Sequence, residues 1–309
     1  MIPAKLIEDV ARELTARAAI DIPPDYRGGV VQARDRESSR LARFVLTQML
    51  ENWDVATAER RPMCADTGLP RYYVKLGNGA AVEGGLVALE RALRRATAEA
   101  TATIPLRPNR VHPLTREDPN TNVGVHAPEV SYSVEPDADW IDVTTVHKGG
   151  LFGSDFRMLF PGDGIPGIKR FFVDTLVESG KRGLACQPAI VGVGLGGSKD
   201  TCVRLGKEAA CLRLVGSRNP DPAAAALEEE LTALGNHIGL GAMGFAGTSM
   251  VVATHVELAY THTGGLPVGI HQFCLSSRRA SARIGSDGQV TFREDPAWFT
   301  EYYRRAGIE

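Results

Sequence analysis

The sequence predicts a mixed fold of helices and strands, of the α/β or α+β class, in a single domain. Three observations support this prediction. Apolar residues recur at helical spacing in several segments, short apolar strand-like segments separate these helices, and no internal repeat interrupts the 309-residue chain. Hydrophobic residues make up 43% of the chain and charged residues 23%, which is typical of a globular protein with a sizeable core.

Helices are predicted where apolar residues recur at steps of three and four. At the N-terminus Leu6, Val10 and Leu14 follow this period, and Pro23 and Pro24 end the predicted helix. The further predicted helices cover residues 41–53, 82–100, 168–178, 199–212 and 222–237.

Strands are predicted in short apolar segments that are bounded by turn residues. These segments cover residues 72–76, 130–134, 140–146, 250–258 and 267–274, and residues 186–197 form an apolar strand that breaks into a glycine turn. We expect a long ordered loop over residues 104–128. From Arg278 onward the pattern predicts a small hairpin and a last short helix.

Composition and charge exclude several classes of protein. Lys and Arg number 35 and Asp and Glu 37, so the net charge of −2 argues against binding nucleic acid. No segment approaches the roughly 18–20 uncharged apolar residues of a membrane-spanning helix. The N-terminus lacks a signal-peptide pattern, and we therefore expect a cytoplasmic protein. Five scattered cysteines in such a chain favour metal binding or catalysis over disulfides.

A glycine motif follows one of the predicted strands. Gly192, Gly194 and Gly197 fit the G-x-G-x-x-G pattern of dinucleotide-binding proteins. That pattern also expects an acidic residue at the end of a second strand about 20 residues on, and residues 213–219 hold none. We therefore favour two other interpretations of these glycines. They allow tight packing of the strand on the next helix, or their backbone amides bind an anion.

The cysteines fall into two groups by their surroundings. Cys64, Cys186 and Cys274 lie beside turns or at strand ends, whereas Cys202 and Cys211 lie within a predicted helix. By themselves the first three are compatible with buried structural residues or with ligands of a shared metal centre.

Their wider context supports a family resemblance. Cys64-Ala65-Asp66-Thr67-Gly68, Cys186-Gln187-Pro188 with the glycines that follow, and His262 before Cys274 form one ordered set. This set resembles the α domain of the iron-sulfur hydro-lyases, which include class I fumarase and the α subunit of L-tartrate dehydratase. The resemblance covers nearly the whole chain. It implies one domain over residues 1–309, with the N-terminal helices of residues 1–60 packed on it.

The resemblance also implies a cofactor and a reaction. Cys64, Cys186 and Cys274 would hold a 4Fe-4S cluster and leave one iron without a protein ligand, and thiolates are natural ligands of such clusters. The open iron would act as a Lewis acid in the reversible dehydration of a 2-hydroxy dicarboxylate of the tartrate or fumarate-malate type.

Further residues acquire roles through the same resemblance. Asp66 and His262 would be catalytic, with Asp66 assisting the leaving hydroxyl, and Arg107 would bind a substrate carboxylate. Taken alone, Asp66 could equally cap a turn, Arg107 could form a surface salt bridge, and His262 could be structural. Lys148, Gly149 and Gly150 match a substrate-binding Lys-Gly-Gly-Gly-Ser element of the family.

The sequence departs from the family in the predicted pocket. Leu151 and Phe152 follow the two matching glycines, and Ala65 stands where fumarases have glutamine. We therefore expect a substrate other than plain fumarate or malate.

Partners are predicted by the same comparison. In fumarases a β domain follows the α domain, and in tartrate dehydratase a separate β subunit supplies the base. We therefore expect a separately encoded β subunit, in an α2β2 assembly with contacts between copies of this chain. The alternatives are a hydro-lyase for a different hydroxy acid, a non-catalytic protein that binds a cluster or an acid, and a nicotinamide-dependent dehydrogenase.

Overall fold

The structure, a computed structural model, describes residues 1–149 and 153–299. These residues form both helices and strands, which confirms the predicted mixed class. The helices are α1 Ala4–Ile20, α2 Pro24–Arg36, α3 Arg40–Glu59, α4 Gly85–Thr103, α5 Gly164–Arg182, α6 Lys199–Leu212 and α7 Pro222–His237. The strands are β1 Leu69–Gly77, β2 Glu129–Glu135, β3 Ile141–Lys148, β4 Asp155–Leu159, β5 Ala189–Gly196, β6 Val251–Ala259, β7 Leu266–Phe273, β8 Arg278–Ile284 and β9 Val290–Arg293.

The chain divides into two compact units, and each is assembled from separate segments. Unit 1 comprises Met1–Pro23, Asn52–Gly149 and Arg278–Trp298. Unit 2 comprises Pro24–Glu51, the described residues of Gly150–Ser277, and Phe299. Because the segments of the two units alternate along the sequence, no single cut separates them. The assignment of residues 1–309 to one domain stays a prediction.

Unit 1 contains a five-stranded sheet in the order β2-β1-β3-β8-β9. Strand β1 pairs with β2 in parallel and with β3 in antiparallel orientation, and β8 joins the other side of β3. Helices α1 and α4 cover one face of this sheet through a core that includes Leu14, Leu89 and Val143. The hydroxyl of the buried Tyr72 lies 3.1 Å from Thr15 Oγ1 and 2.9 Å from Thr97 Oγ1, and so joins both helices to β1.

Unit 2 contains a four-stranded sheet in the order β4-β7-β5-β6. Strands β5 and β6 are parallel, and β5 and β7 are antiparallel. Alternate residues of β5 point to opposite faces of the sheet. Val191 and Val193 pack in a core with Phe171 of α5 and Leu227 of α7. Gly192 and Gly194, which alternate with these valines, face α6.

Helix α6 approaches β5 so closely that only glycine fits between them. A Cβ atom at Gly192 would overlap the carbonyl oxygen of Gly206, and one at Gly194 would overlap the carbonyl oxygen of Cys202. The G-x-G-x-x-G pattern therefore reflects close packing of strand and helix. This confirms one of the two interpretations favoured from the sequence.

Most predicted elements are present, and two were missed. Helix α2 begins at Pro24, and proline is well tolerated at the first position of a helix. The helix was missed because Pro24 was interpreted only as the end of the preceding helix. Strand β4 is only five residues long and mostly exposed, and its alternation of Phe156 and Met158 with polar residues was overlooked. Residues 104–128 lack helices and strands beyond one isolated bridge, as expected for a loop.

The C-terminal predictions are partly covered by the described residues. Strands β8 and β9 form the expected antiparallel hairpin. No helix lies between Glu294 and Phe299, and residues 300–309 lie outside the described part of the chain, as do Gly150, Leu151 and Phe152. Within residues 1–149 and 153–299, no helix has both the length and the apolar character needed to cross a membrane.

We predict that Gly194→Ala lowers the free energy of unfolding by about 1–3 kcal/mol, because the added methyl group must displace α6. Urea denaturation would measure this change. The control is Gly28→Ala in α2, where the new Cβ meets no atom within 4 Å. This variant should be unchanged or slightly stabilised. Equal effects in the two variants would contradict the packing explanation.

Candidate functional site

In unit 1, residues 64–68 form a turn between α3 and β1, which we call the cysteine turn. Gly68 has a positive φ of 77°, a conformation that favours glycine. The Oδ1 atom of Asp66 accepts hydrogen bonds from the backbone nitrogen of Gly68 at 3.1 Å and from Nδ2 of Asn109 at 2.8 Å. Asp66 thus caps its own turn, and among the described residues these bonds leave its Oδ2 uninvolved.

A surface cleft of about 470 Å³ lies beside the cysteine turn. The residues that line it come from the chain just after α3 and from the start of the 104–128 loop: Arg61, Pro62, Cys64, Ala65, Thr67, Pro105 and Arg107. The cleft thus combines one thiol with two guanidinium groups, which suits an anionic ligand. Asp66 is adjacent in sequence but is not one of these lining residues.

Hydrogen bonds fix the 104–128 loop against the cysteine turn. The backbone nitrogen of Arg107 donates to Oγ1 of Thr67 at 3.0 Å. The buried Asn122 accepts from the backbone nitrogen of Asn109 at 2.8 Å, and its Nδ2 donates to the carbonyl of Arg107 at 3.1 Å. The backbone at Arg107 is therefore held in place, while its side chain is exposed in the cleft.

The end of β3 contacts the cysteine turn through His147. His147 is fully buried, with its ring nitrogens 3.0 Å from the carbonyl oxygen of Thr67 and 2.9 Å from that of Thr15. Burial, reinforced by the charge of Arg278, lowers the pKa of His147 to about 4. The guanidinium of Arg278 also donates to the carbonyl oxygen of Asp66.

Lys148 and Gly149 follow His147 directly. Both are buried, and Nζ of Lys148 donates to the carbonyl oxygen of Gly149 at 2.8 Å. Gly150, the third predicted residue of this element, lies outside the described residues. The substrate-binding role of this element stays a prediction.

In unit 2 the structure brings Cys186 and Cys274 together. Cys186 precedes β5 and Cys274 follows β7, and these strands are antiparallel neighbours with Ile190 opposite Phe273. The start of one strand therefore lies beside the end of the other. The backbone nitrogen of Leu275 donates to the carbonyl oxygen of Cys186 at 3.0 Å. We call Cys186 and Cys274 the cysteine pair.

His262 lies at the other end of β7 from Cys274. It occupies an exposed turn between β6 and β7, where its Nδ1 accepts from the backbone nitrogen of Gly264 at 3.0 Å. The eight residues of β7 separate this turn from Cys274 by roughly 26 Å, at about 3.3 Å per residue. Within unit 2, therefore, His262 is not part of the surroundings of the cysteine pair.

The donor set partly fits an iron-sulfur cluster. The backbones at Cys186 and Cys274 are adjacent in unit 2, and a third cysteine, Cys64, lines the basic cleft of unit 1. Among the described residues, no three His, Cys, Asp or Glu side chains form a ready metal-binding group, and the five cysteines form no disulfide. Cys202 and Cys211 are buried in α6, as predicted. The thiol chemistry fits the cluster, while its three-cysteine ligation stays a prediction.

Sequence reasoning missed three residues of unit 1 that shape the cysteine turn: Asn109, His147 and Arg278. Asn109 could have been suspected, because asparagine commonly bonds to turn backbones. Arg278 gave no comparable signal, since its contact with the turn depends on the position of β8 in the sheet.

The fold and these residues define a class of enzyme. The sequence profile described as fumarate hydratase (fumerase) matches residues 8–283, and the chain belongs to this family of hydro-lyases. The chain is also similar to individual members.

A protein of Methanocaldococcus jannaschii with the provisional name L(+)-tartrate dehydratase subunit alpha is 38% identical over 289 residues, covering 92% of this chain and 99% of that protein. The L(+)-tartrate dehydratase subunits alpha of Escherichia coli K12 and Shigella sonnei are each 32% identical, covering 92% of both chains.

We predict that His147 makes the unfolding free energy depend on pH. Between pH 6.5 and about 4 the unfolded histidine binds a proton that the folded one does not, so acid favours unfolding in this range. The wild type should lose roughly 3 kcal/mol across this range relative to His147→Gln. Urea denaturation at several pH values would measure this difference. The exposed His237→Gln serves as control, and a wild-type profile parallel to that of His147→Gln would refute the assignment.

Proposed function

We propose that this chain is the cluster-bearing α-type subunit of a hydro-lyase that dehydrates a 2-hydroxy dicarboxylate of the tartrate or malate type. One observation carries the proposal, namely that Cys64 and Arg107 line the same cleft in unit 1. A thiolate is a ligand for an iron-sulfur cluster, and a guanidinium binds a carboxylate in a bidentate manner. The cleft therefore offers both functions that the reaction needs.

The proposed ligands of the 4Fe-4S cluster are Cys64 and the cysteine pair. The adjacency of Cys186 and Cys274 supports this assignment. When bound, such a cluster supplies an open iron that polarises the hydroxyl group of the substrate.

The side chains of unit 1 have complementary roles in this proposal. Arg107 holds a substrate carboxylate, because its backbone is fixed and its guanidinium reaches the cleft. Asn109 fixes Oδ1 of Asp66, and this leaves Oδ2 to accept a hydrogen bond from the substrate hydroxyl. The backbone amides of Lys148, Gly149 and Gly150 are proposed to contact the substrate.

Two features of the pocket bear on substrate choice. Ala65 lines the cleft with a small side chain, and it leaves room that a longer residue would fill. A volume of about 470 Å³ is within the usual range of small-molecule sites. We propose that the substrate carries more polar groups than malate does, as tartrate does.

The proposal includes partners. The relatives are named as alpha subunits, which implies that a separate subunit works with them. For this chain we propose a separately encoded β subunit that supplies the base for the carbon-bound proton. We also propose contacts between copies of this chain. We propose that His262, which lies roughly 26 Å from Cys274 along β7, is also catalytic. A cytoplasmic location is part of the same proposal.

The cluster assignment predicts the metal content of the purified chain. Protein prepared without oxygen should contain close to four iron and four sulfide ions per chain, the content of one 4Fe-4S cluster, and Cys186→Ser should lose most of both. Cys202→Ala is the matched control, because Cys202 is buried in α6 and bonds to the carbonyl of Lys199. Wild-type protein without iron and sulfide, or equal content in all three proteins, would refute the cluster.

The role of Asp66 predicts a loss of turnover without loss of the cluster. Asp66→Asn keeps the hydrogen-bond acceptor for Gly68 but removes the carboxylate, so kcat should fall about 100-fold or more while the iron content stays constant. The assay uses the chain with its β partner and a series of 2-hydroxy dicarboxylates. Asp118→Asn removes a similarly exposed turn-capping carboxylate and should leave kcat unchanged. Full activity in Asp66→Asn would refute the catalytic role of Asp66, whereas an absence of turnover in the wild type with all these substrates would favour a non-catalytic binding protein.

A further inference from the structure

Tyr26 of α2 lies beside the cysteine pair in unit 2. Its side chain is fully buried, and its hydroxyl donates a hydrogen bond to the carbonyl oxygen of Pro188 at 2.6 Å. A carbonyl oxygen can only accept, so the proton of the tyrosine is committed to the segment that begins at Cys186.

The same hydroxyl also contacts the segment that follows Cys274. It forms a hydrogen bond with the side chain of Ser277, and the backbone nitrogen of Ser277 donates to the carbonyl oxygen of Cys274 at 2.8 Å. Tyr26 thus connects the residue two positions after Cys186 to the residue three positions after Cys274. This connection runs alongside the direct bond between Leu275 and Cys186.

The hydroxyl is close enough to the two thiols for their charges to act on it. Burial raises the pKa of Tyr26 well above its ordinary value, and charge on Cys274 and Cys186 raises it further, against the opposing effect of Ser277. The hydroxyl that donates to Pro188 is therefore close to both cysteines of the pair.

The position of Tyr26 is itself fixed by α2. The carboxylate of Asp25 accepts a hydrogen bond from the backbone nitrogen of Val215 at 2.9 Å. One turn later Gly29 packs so closely against Val252 of β6 that an added Cβ would overlap it. These contacts hold the start of α2 against the rest of unit 2. They therefore fix the position of the Tyr26 side chain.

We propose that Tyr26 is a positioning residue that holds Cys186 and Cys274 at the spacing needed for binding metal. The inference rests on the proposed function, since it takes the pair to be cluster ligands. Tyr26 lies about 160 positions before Cys186 in the sequence. The helix that carries it contributes no proposed ligand. Residues that orient metal ligands in this way change metal affinity about 10-fold to 100-fold when they are replaced.

The test measures binding of Cd²⁺ to the cluster-free full-length chain, by the ultraviolet absorption of cadmium thiolates. Tyr26→Phe removes only the hydroxyl and should weaken cadmium binding about 10-fold or more. Cys186→Ser should weaken it at least as much. Tyr72→Phe is the matched control, because Tyr72 is equally buried and bonds to Thr15 and Thr97 in unit 1. This variant should bind cadmium as the wild type does.

Three outcomes would overturn the proposal. They are unchanged cadmium affinity in Tyr26→Phe, an equal loss in Tyr26→Phe and Tyr72→Phe, and no effect of Cys186→Ser. If Tyr26→Phe does not fold, Ser277→Ala removes the other end of the bridge and should also weaken binding, and an unchanged affinity there would overturn the proposal too.

Iron and sulfide content after anaerobic reconstitution separates this inference from the proposed function. A wild type that takes up neither refutes the cluster itself. A wild type and Tyr26→Phe that take up and retain both equally refute only the role of Tyr26.

Discussion

The antiparallel pairing of β5 with β7 is the constraint on which the candidate metal site of unit 2 depends. Cys186 and Cys274 are 88 positions apart in the sequence, and they become neighbours because one strand starts where the other ends. Helix α6 packs on the same two strands, and it can approach β5 so closely only because Gly192 and Gly194 carry no side chain.

In unit 1, hydrogen bonds from several elements position the residues of the candidate site. The cysteine turn is short and exposed, and its conformation is imposed by hydrogen bonds from the surrounding elements. Asn109 reaches it from the long loop, His147 from the end of β3 and Arg278 from β8. The buried His147 is uncharged at neutral pH and therefore donates a hydrogen bond to one of the two backbone carbonyl oxygens that lie beside its ring nitrogens.

The elements with strong periodicity could be predicted from the sequence, and those defined by their neighbours could not. The period of α1 and the apolar runs of β5 and β7 are local properties, so their prediction succeeded. Helix α2 was missed, although it carries Tyr26, because Pro24 was read only as a stop. The contacts of Asn109 and Arg278 depend on which loop and strand lie beside the cysteine turn, and that information is absent from local sequence.

The interleaved arrangement of the two units has a consequence for biosynthesis. Strands β8 and β9 follow the other described strands in the sequence, yet they join the sheet of unit 1 beside β3, whose residues leave the ribosome about 130 positions earlier. The edge of β3 in the sheet of unit 1 therefore stays unpaired while nearly all of unit 2 is synthesised. Contacts over such long sequence separations form slowly, and open strand edges invite aggregation. Nascent chains of this protein should consequently depend on chaperones until the hairpin at Arg278 has emerged.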